Sequence, residues 1–207
     1  FFWSGNKNVY KIMTENDAYV HVDKMTGLPL LITIERFYNS LFCYVIESGG
    51  FVPQNQCVLM SFYSAAISKK NVFIYNFLKE NYPFNRIITM TKMWRDDNFD
   101  FSLLLKKSCN SGFVEAAKDL IDFILTVNSE ADLIHSFYLS ILSKKEEIYK
   151  FMIERKANLK VKPNDPNLKA ITMIDMDLIL FLIDKIDVDL KDEVLKQIFD
   201  LAVLNGN

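Results

Sequence analysis

Residues 27–50 read GLPLLITIERFYNSLFCYVIESGG, and the apolar spacing within them decides the fold. Counting from Thr33, apolar pairs fall eight and twelve residues on, at Leu41-Phe42 and Val45-Ile46, before Gly49-Gly50 closes the unit. Pairs four residues apart stack on one face of a helix, and Leu30 and Ile34 mark a second helix ahead of it. The pattern then returns along the chain. From Ala65-Ala66 the pairs are Phe73-Ile74 and Phe77-Leu78, and from Ser108-Cys109 they are Ala116-Ala117 and Leu120-Ile121. From Ser140-Ile141 they are Ile148-Tyr149 and Met152-Ile153, and from Ala170-Ile171 they are Leu178-Ile179 and Leu182-Ile183. Phe1-Phe2 leads to Val9-Tyr10 and Met13-Thr14, and Ala202-Val203 opens a last unit. The starts lie 32, 32, 43, 32, 30 and 32 residues apart. Two pairs in each of six units make 24 positions, of which only Thr14 is polar, so the period is no accident of an apolar chain.

Each unit therefore reads as two short helices joined by a polar turn. The turns are Ser4-Gly5-Asn6, Ser68-Lys69-Lys70-Asn71, Ser111-Gly112 and Ser143-Lys144-Lys145. Gly49 and Asn81 stand after the second helix, where a left-handed residue ends it. One such unit cannot bury its own apolar face, so neighbours must stack and share a core. The expectation is a strongly helical, all-α solenoid that occupies residues 1–207 as one array.

Composition narrows the work such an array could do. Half the 207 residues are apolar and 24% are charged, which excludes a disordered chain. A net charge of -2 lacks the basic footprint of a general nucleic-acid binder. The longest aliphatic or aromatic run, Leu178 to Ile183, is far short of the ~20 residues that cross a bilayer. Cys43, Cys57 and Cys109 lack C-x-x-C spacing, and no N-x-[ST] sequon occurs, which points to a reducing, intracellular, cytoplasmic setting. The chain starts at Phe1 without a basic-then-apolar leader, and it is expected to be an internal piece of a longer array.

The unit resembles the ankyrin repeat, whose pattern runs D-x-x-G-x-T-P-L-H-x-A-A, two variable residues, G-H, paired aliphatics and G-A. Asp23 to Leu30 matches the opening with Gly27 one place late and Leu28 for Thr; Pro29, Leu30 and Pro166 fit. Ala65-Ala66, Gly5-Asn6, Gly112, Gly206-Asn207 and Lys156-Ala157-Asn158 match other positions. The resemblance spans essentially the whole chain, although no complete T-P-L-H box is present and Lys often stands for the helix-turn Gly. It implies about five to six ankyrin-like repeats, truncated at both ends. Tetratricopeptide arrays would show W-x-x-L-G-x-x-Y, absent here, and HEAT-like units are usually longer. Another α-solenoid and an irregular helical domain stay open as alternatives.

The 43-residue spacing marks an insertion around 83–100, PFNRIITMTKMWRDDNFD, with the remainder lengthening the helix from Ala116 to Val127. It reads as a long hairpin or a binding loop carrying Trp94, Arg95, Asp96 and Asp97. Catalytic signals are weak. His21 and His135 are the only histidines, the first read as a solvated or cross-hairpin residue and the second as a capping or packing one. No G-x-S-x-G elbow or glycine-rich phosphate loop occurs. Asp184, Asp187, Asp189, Asp192 and Glu193 lack calcium-loop spacing and read as a solvated face. Lys69-Lys70 and Lys144-Lys145 hold equivalent places and read as one solvated edge.

The expected function is a non-catalytic protein–protein interaction scaffold, without metal, cofactor, small-molecule ligand, nucleic acid or membrane insertion. A regulatory or targeting module of a larger enzyme or channel is the second reading. The resemblance implies that the variable pair after the first-helix alanines faces the partner. The residues expected at the partner surface are Met25, Glu35, Arg36, Ile67, Leu142 and Met173, with Trp94 and Arg95 on the insertion.

Overall fold

The computed structural model describes residues 5–15, 28–48, 56–94, 100–159, 195, 196, 199 and 200. Ten helices are found among them: α1 Lys7–Glu15, α2 Leu28–Glu35, α3 Asn39–Glu47, α4 Gln56–Lys69, α5 Val72–Asn81, α6 Phe84–Trp94, α7 Phe101–Ser111, α8 Val114–Val127, α9 Ile134–Leu142 and α10 Glu146–Glu154. The architecture is all-α; the described residues hold no strand beyond one isolated bridge. The chain forms two compact units, Phe1–Lys107 and Ser108–Asn207, which divide within α7.

In the first unit the helices are short because the backbone stops them. After α2, Phe37 turns left-handed at φ 59°, with its N–H donating to the Ile34 carbonyl (3.2 Å) and that of Tyr38 to the Thr33 carbonyl (2.8 Å). After α4, Lys70 does the same at φ 52°, with Lys70 N–H to Ile67 (3.1 Å) and Asn71 N–H to Ala66 (2.8 Å). These paired bonds are the Schellman closure, which satisfies carbonyls that a helix end would otherwise leave open. Thr33 and Ala66, four residues before each turn, are small and wholly buried, and the Thr33 hydroxyl donates to the Leu30 carbonyl (2.7 Å). Each turn folds the second helix back on the first, so α2 packs on α3 and α4 on α5. The hairpins then stack like on like, α2 against α4, and α1 and α5 against α3. Between the layers lie Leu30, Ile34, Phe42, Phe62 and Ile74, all at 0% exposure, with Phe42 set edge-on to Phe62 and Phe77.

The second unit repeats the device. Gly112 is left-handed at φ 71°, and its N–H and that of Phe113 converge on the Ser108 carbonyl (2.8 and 3.0 Å). Lys144 follows α9 at φ 54°, with Lys144 N–H to Ile141 (2.8 Å) and Lys145 N–H to Ser140 (2.7 Å). Here α10 packs on both α9 and α8. It closes at Lys156 (φ 52°), after which Asn158 pairs with Asp132 in a parallel bridge ahead of α9.

The left-handed residues at 5, 37, 70, 112 and 144 therefore recur at intervals of 32, 33, 42 and 32. That corrects the sequence register in one place: the third unit is aligned on Ala66, one residue after the Ala65 expected. Asn81 is also corrected, since it is the last residue of α5 and not left-handed; Lys156 takes that role after α10. The segment expected to be an inserted loop is mostly helix, because α6 covers Phe84–Trp94 and sets buried Phe84 and Ile87 on one side. The lengthened helix is present as α8, 14 residues against nine in α3 and α10. Among the described residues two paired apolar positions are exposed: Phe73 at 57% and Val9 at 39%. On α5 the inward face is Ile74, Tyr75 and Leu78, about 100° or more round the helix from Phe73.

At one turn glycine answers a close approach as well as a left-handed φ: a Cβ at Gly5 would lie 2.5 Å from Cγ of Tyr38, whose ring covers the turn from the next hairpin. At Gly112 a Cβ would meet only the flexible end of the Lys145 side chain, which holds the same place one unit on.

Candidate functional site

The residues expected to meet a partner separate cleanly by exposure. In the first unit Glu35 and Arg36 end α2 at the surface. Ile67 does not: it is 0% exposed and supplies the carbonyl that closes the α4 turn, so it belongs to the core. The one-residue register error accounts for this, since the exposed pair before Lys70 is Ser68-Lys69. In the second unit Leu142 is 53% exposed at the end of α9. Trp94 is the last residue of α6. Met25, Arg95 and Met173 lie outside the described residues, as do His21 and the acidic cluster at 184–193.

His135, expected to cap or pack, is exposed on the first turn of α9. Just ahead of the helix, Asp132 accepts at Oδ1 from the Ile134 N–H (3.0 Å). Leu133 and Ile134 are buried beside it, which leaves the histidine the outward place.

Sequence reasoning missed the turn of the third hairpin as a polar joint. Asn71 is 2% exposed. Its Oδ1 accepts from the Ile74 N–H (3.2 Å), which caps α5. Its Nδ2 donates to Oδ1 of Asn39 (2.8 Å) and to the Ile34 carbonyl (3.4 Å), both in the preceding hairpin. The signal was present as an Asn directly after the Lys70 turn, one of the best N-cap residues.

An open hollow in the second unit is lined by Asp122, Leu125, Thr126 and Arg155. Its cation is already engaged. Arg155 donates through Nε and an Nη to both Asp122 oxygens (2.8 and 3.0 Å) and lies over the Phe151 ring at 4.9 Å. The hollow is thus a helix-to-helix clasp between α8 and α10. Among the described residues no group of three or more His, Cys, Asp or Glu side chains is placed to hold a metal ion. No helix among them is long and apolar enough to cross a membrane.

The three cysteines are free thiols with different surroundings. Burial pushes the Cys109 thiol up from 9.0 to about 12 and, with Glu47 nearby, the Cys43 thiol up to about 11. Cys57 is exposed on α4. The thiolate is the reactive form. Mass spectrometry after brief treatment of the native chain with a maleimide should therefore find label on Cys57 alone, with Cys43 and Cys109 labelled only in denaturant. Rapid native labelling of Cys109 would refute the burial of α7.

Comparison with protein-family models, with curated proteins and with solved structures finds no match to this chain.

Proposed function

We propose that the chain is a non-catalytic, ankyrin-like helical repeat scaffold that holds a protein partner on its first-layer helices and their turns. The observation that carries this reading is the recurrence of one device at 5, 37, 70, 112 and 144: a left-handed residue between two short helices. At 33, 66, 108 and 140, four residues earlier, stand Thr, Ala, Ser and Ser, each fully buried. Repetition of a structural unit builds surface, and chemistry needs convergent groups instead. The three free cysteines fit action inside a reducing compartment.

Each unit offers exposed residues of this kind, Glu35, Arg36 and Ser68 in the first and Leu142 in the second. A few large residues carry most of the energy of such contacts. The test begins with a photo-cross-linker at exposed Ser68 to capture and identify a partner. Arg36→Glu and Leu142→Ala are then each expected to weaken the purified complex by about 1–2 kcal/mol. Folding should stay within about 0.5 kcal/mol of wild type, since both side chains are exposed. An affinity indifferent to both changes would remove this surface from the reading.

A further inference from the structure

We infer that the turns of the second and third hairpins form a docking strip for an acidic peptide segment with interspersed apolar side chains. The inference rests on the interaction reading above and deepens it, by locating a strip at two of the turns and by naming the chemistry of the partner. Three large apolar side chains stand out there: Phe37 at 54% exposure, Val72 at 45% and Phe73 at 57%. The joint at Asn71 brings them together. Its 2.8 Å bond to Asn39 pins the third turn against the start of α3, two residues from Phe37, while Val72 and Phe73 follow Asn71 directly.

Phe37 carries the argument furthest. Left-handed at φ 59°, it occupies the position that is glycine at 5 and 112 and lysine at 70 and 144, and it is 54% exposed. Left-handed backbone is unfavourable for a bulky L-residue, and a half-exposed ring returns less to the fold than a buried one. A bulky apolar residue kept in that conformation at a half-exposed place is a candidate for a contact outside the chain. Charge then selects the partner. Arg36, Lys69 and Lys70 are exposed around the apolar trio, and Glu35 is the single carboxylate among residues 35–40 and 68–73, in a chain whose net charge is -2. Such a strip attracts carboxylates and repels basic segments. A peptide fits better than an anionic bilayer, because three half-exposed side chains beside a carboxylate do not make the broad apolar face of an interfacial helix.

The experiment is selection of a random 16-residue peptide display library on the full chain. The expected result is enrichment of peptides rich in Asp and Glu with aromatic or aliphatic residues between them. A synthetic enriched peptide should lose at least tenfold in affinity on Phe37→Gly, and as much on the double change Lys69→Glu with Lys70→Glu. Phe37→Gly should at the same time raise the melting temperature by relieving the turn. A rise in stability joined to a loss of binding cannot come from a damaged fold. Enriched peptides that are neutral or basic, or that ignore both variants, would overturn the strip and leave the scaffold reading standing. A library with no enriched peptide would count against both. Chain that pellets with phosphatidylserine vesicles through Phe37, in place of binding acidic peptides, would overturn the assignment of the partner.

Discussion

Replacing Phe42 with alanine is expected to destabilise the fold by about 3–5 kcal/mol, the usual range for removing a buried phenylalanine. The ring is at 0% exposure on α3 and meets Phe62 of α4 edge-on with centroids 5.5 Å apart. It meets Phe77 of α5 in the same way at 5.9 Å. One side chain thus joins three helices and two hairpins. Its removal opens a cavity and loses two edge-to-face contacts, which add about 0.5–1.5 kcal/mol each to simple burial. Small domains hold only about 5–15 kcal/mol in total, so this loss is a large share. Phe73→Ala is the paired control. It removes the same ring from the same repeating pattern, but from a position 57% exposed, and should change stability by under about 0.5 kcal/mol. Denaturant unfolding of both variants decides the matter. Similar losses for the two would mean that α5 is rotated from the orientation described.

The contrast between those rings shows what the sequence could and could not convey. Helix existence and most turn positions were legible, because apolar pairs four apart and Ser-Gly or Ser-Lys-Lys joints depend on local chemistry. Which member of a pair faces inward was not, since Phe73 and Ile74 are equally apolar and only stacking separates them. Lys70 and Phe37 hid the turn register for a related reason. A left-handed residue is easy to recognise as Gly and hard as Lys or Phe, and mistaking Ala65 for Ala66 carried Ile67 from the core to the surface. The helix at 84–94 was missed because Trp94, Arg95, Asp96 and Asp97 suggested a loop across 83–100. Yet Phe84 and Ile87, three apart, already mark a helical face, and both are buried. Of the residues expected to meet a partner, Glu35, Arg36 and Leu142 are exposed. Of the Asn71 joint, the cap on α5 had a local signal, whereas the bridge had none, since its partners lie 32 and 37 residues away.

That joint should be the most sensitive polar position in the first unit. Asn71→Ala is expected to cost about 2–3 kcal/mol, of which the lost cap on α5 supplies about 1–2. The remainder is the amide oxygen of Asn39, left in a part-buried place without its 2.8 Å donor. A cap alone would act within one helix, whereas this side chain also ties the third hairpin to the second. The two roles separate in a double-mutant cycle with Asn39→Ala. If the bridge matters, Asn71→Ala costs less in the Asn39→Ala background, with a coupling of about 1 kcal/mol. Equal costs in both backgrounds would reduce Asn71 to a cap. Hydrogen exchange gives an independent reading. Amides of the first turn of α5, Ile74 above all, should lose protection in Asn71→Ala while the buried face of α2 keeps more of its own. If protection instead falls evenly over α2 to α5, the two hairpins unfold as one cooperative block, and Asn71 contributes to that block as a whole and not to the seam between them.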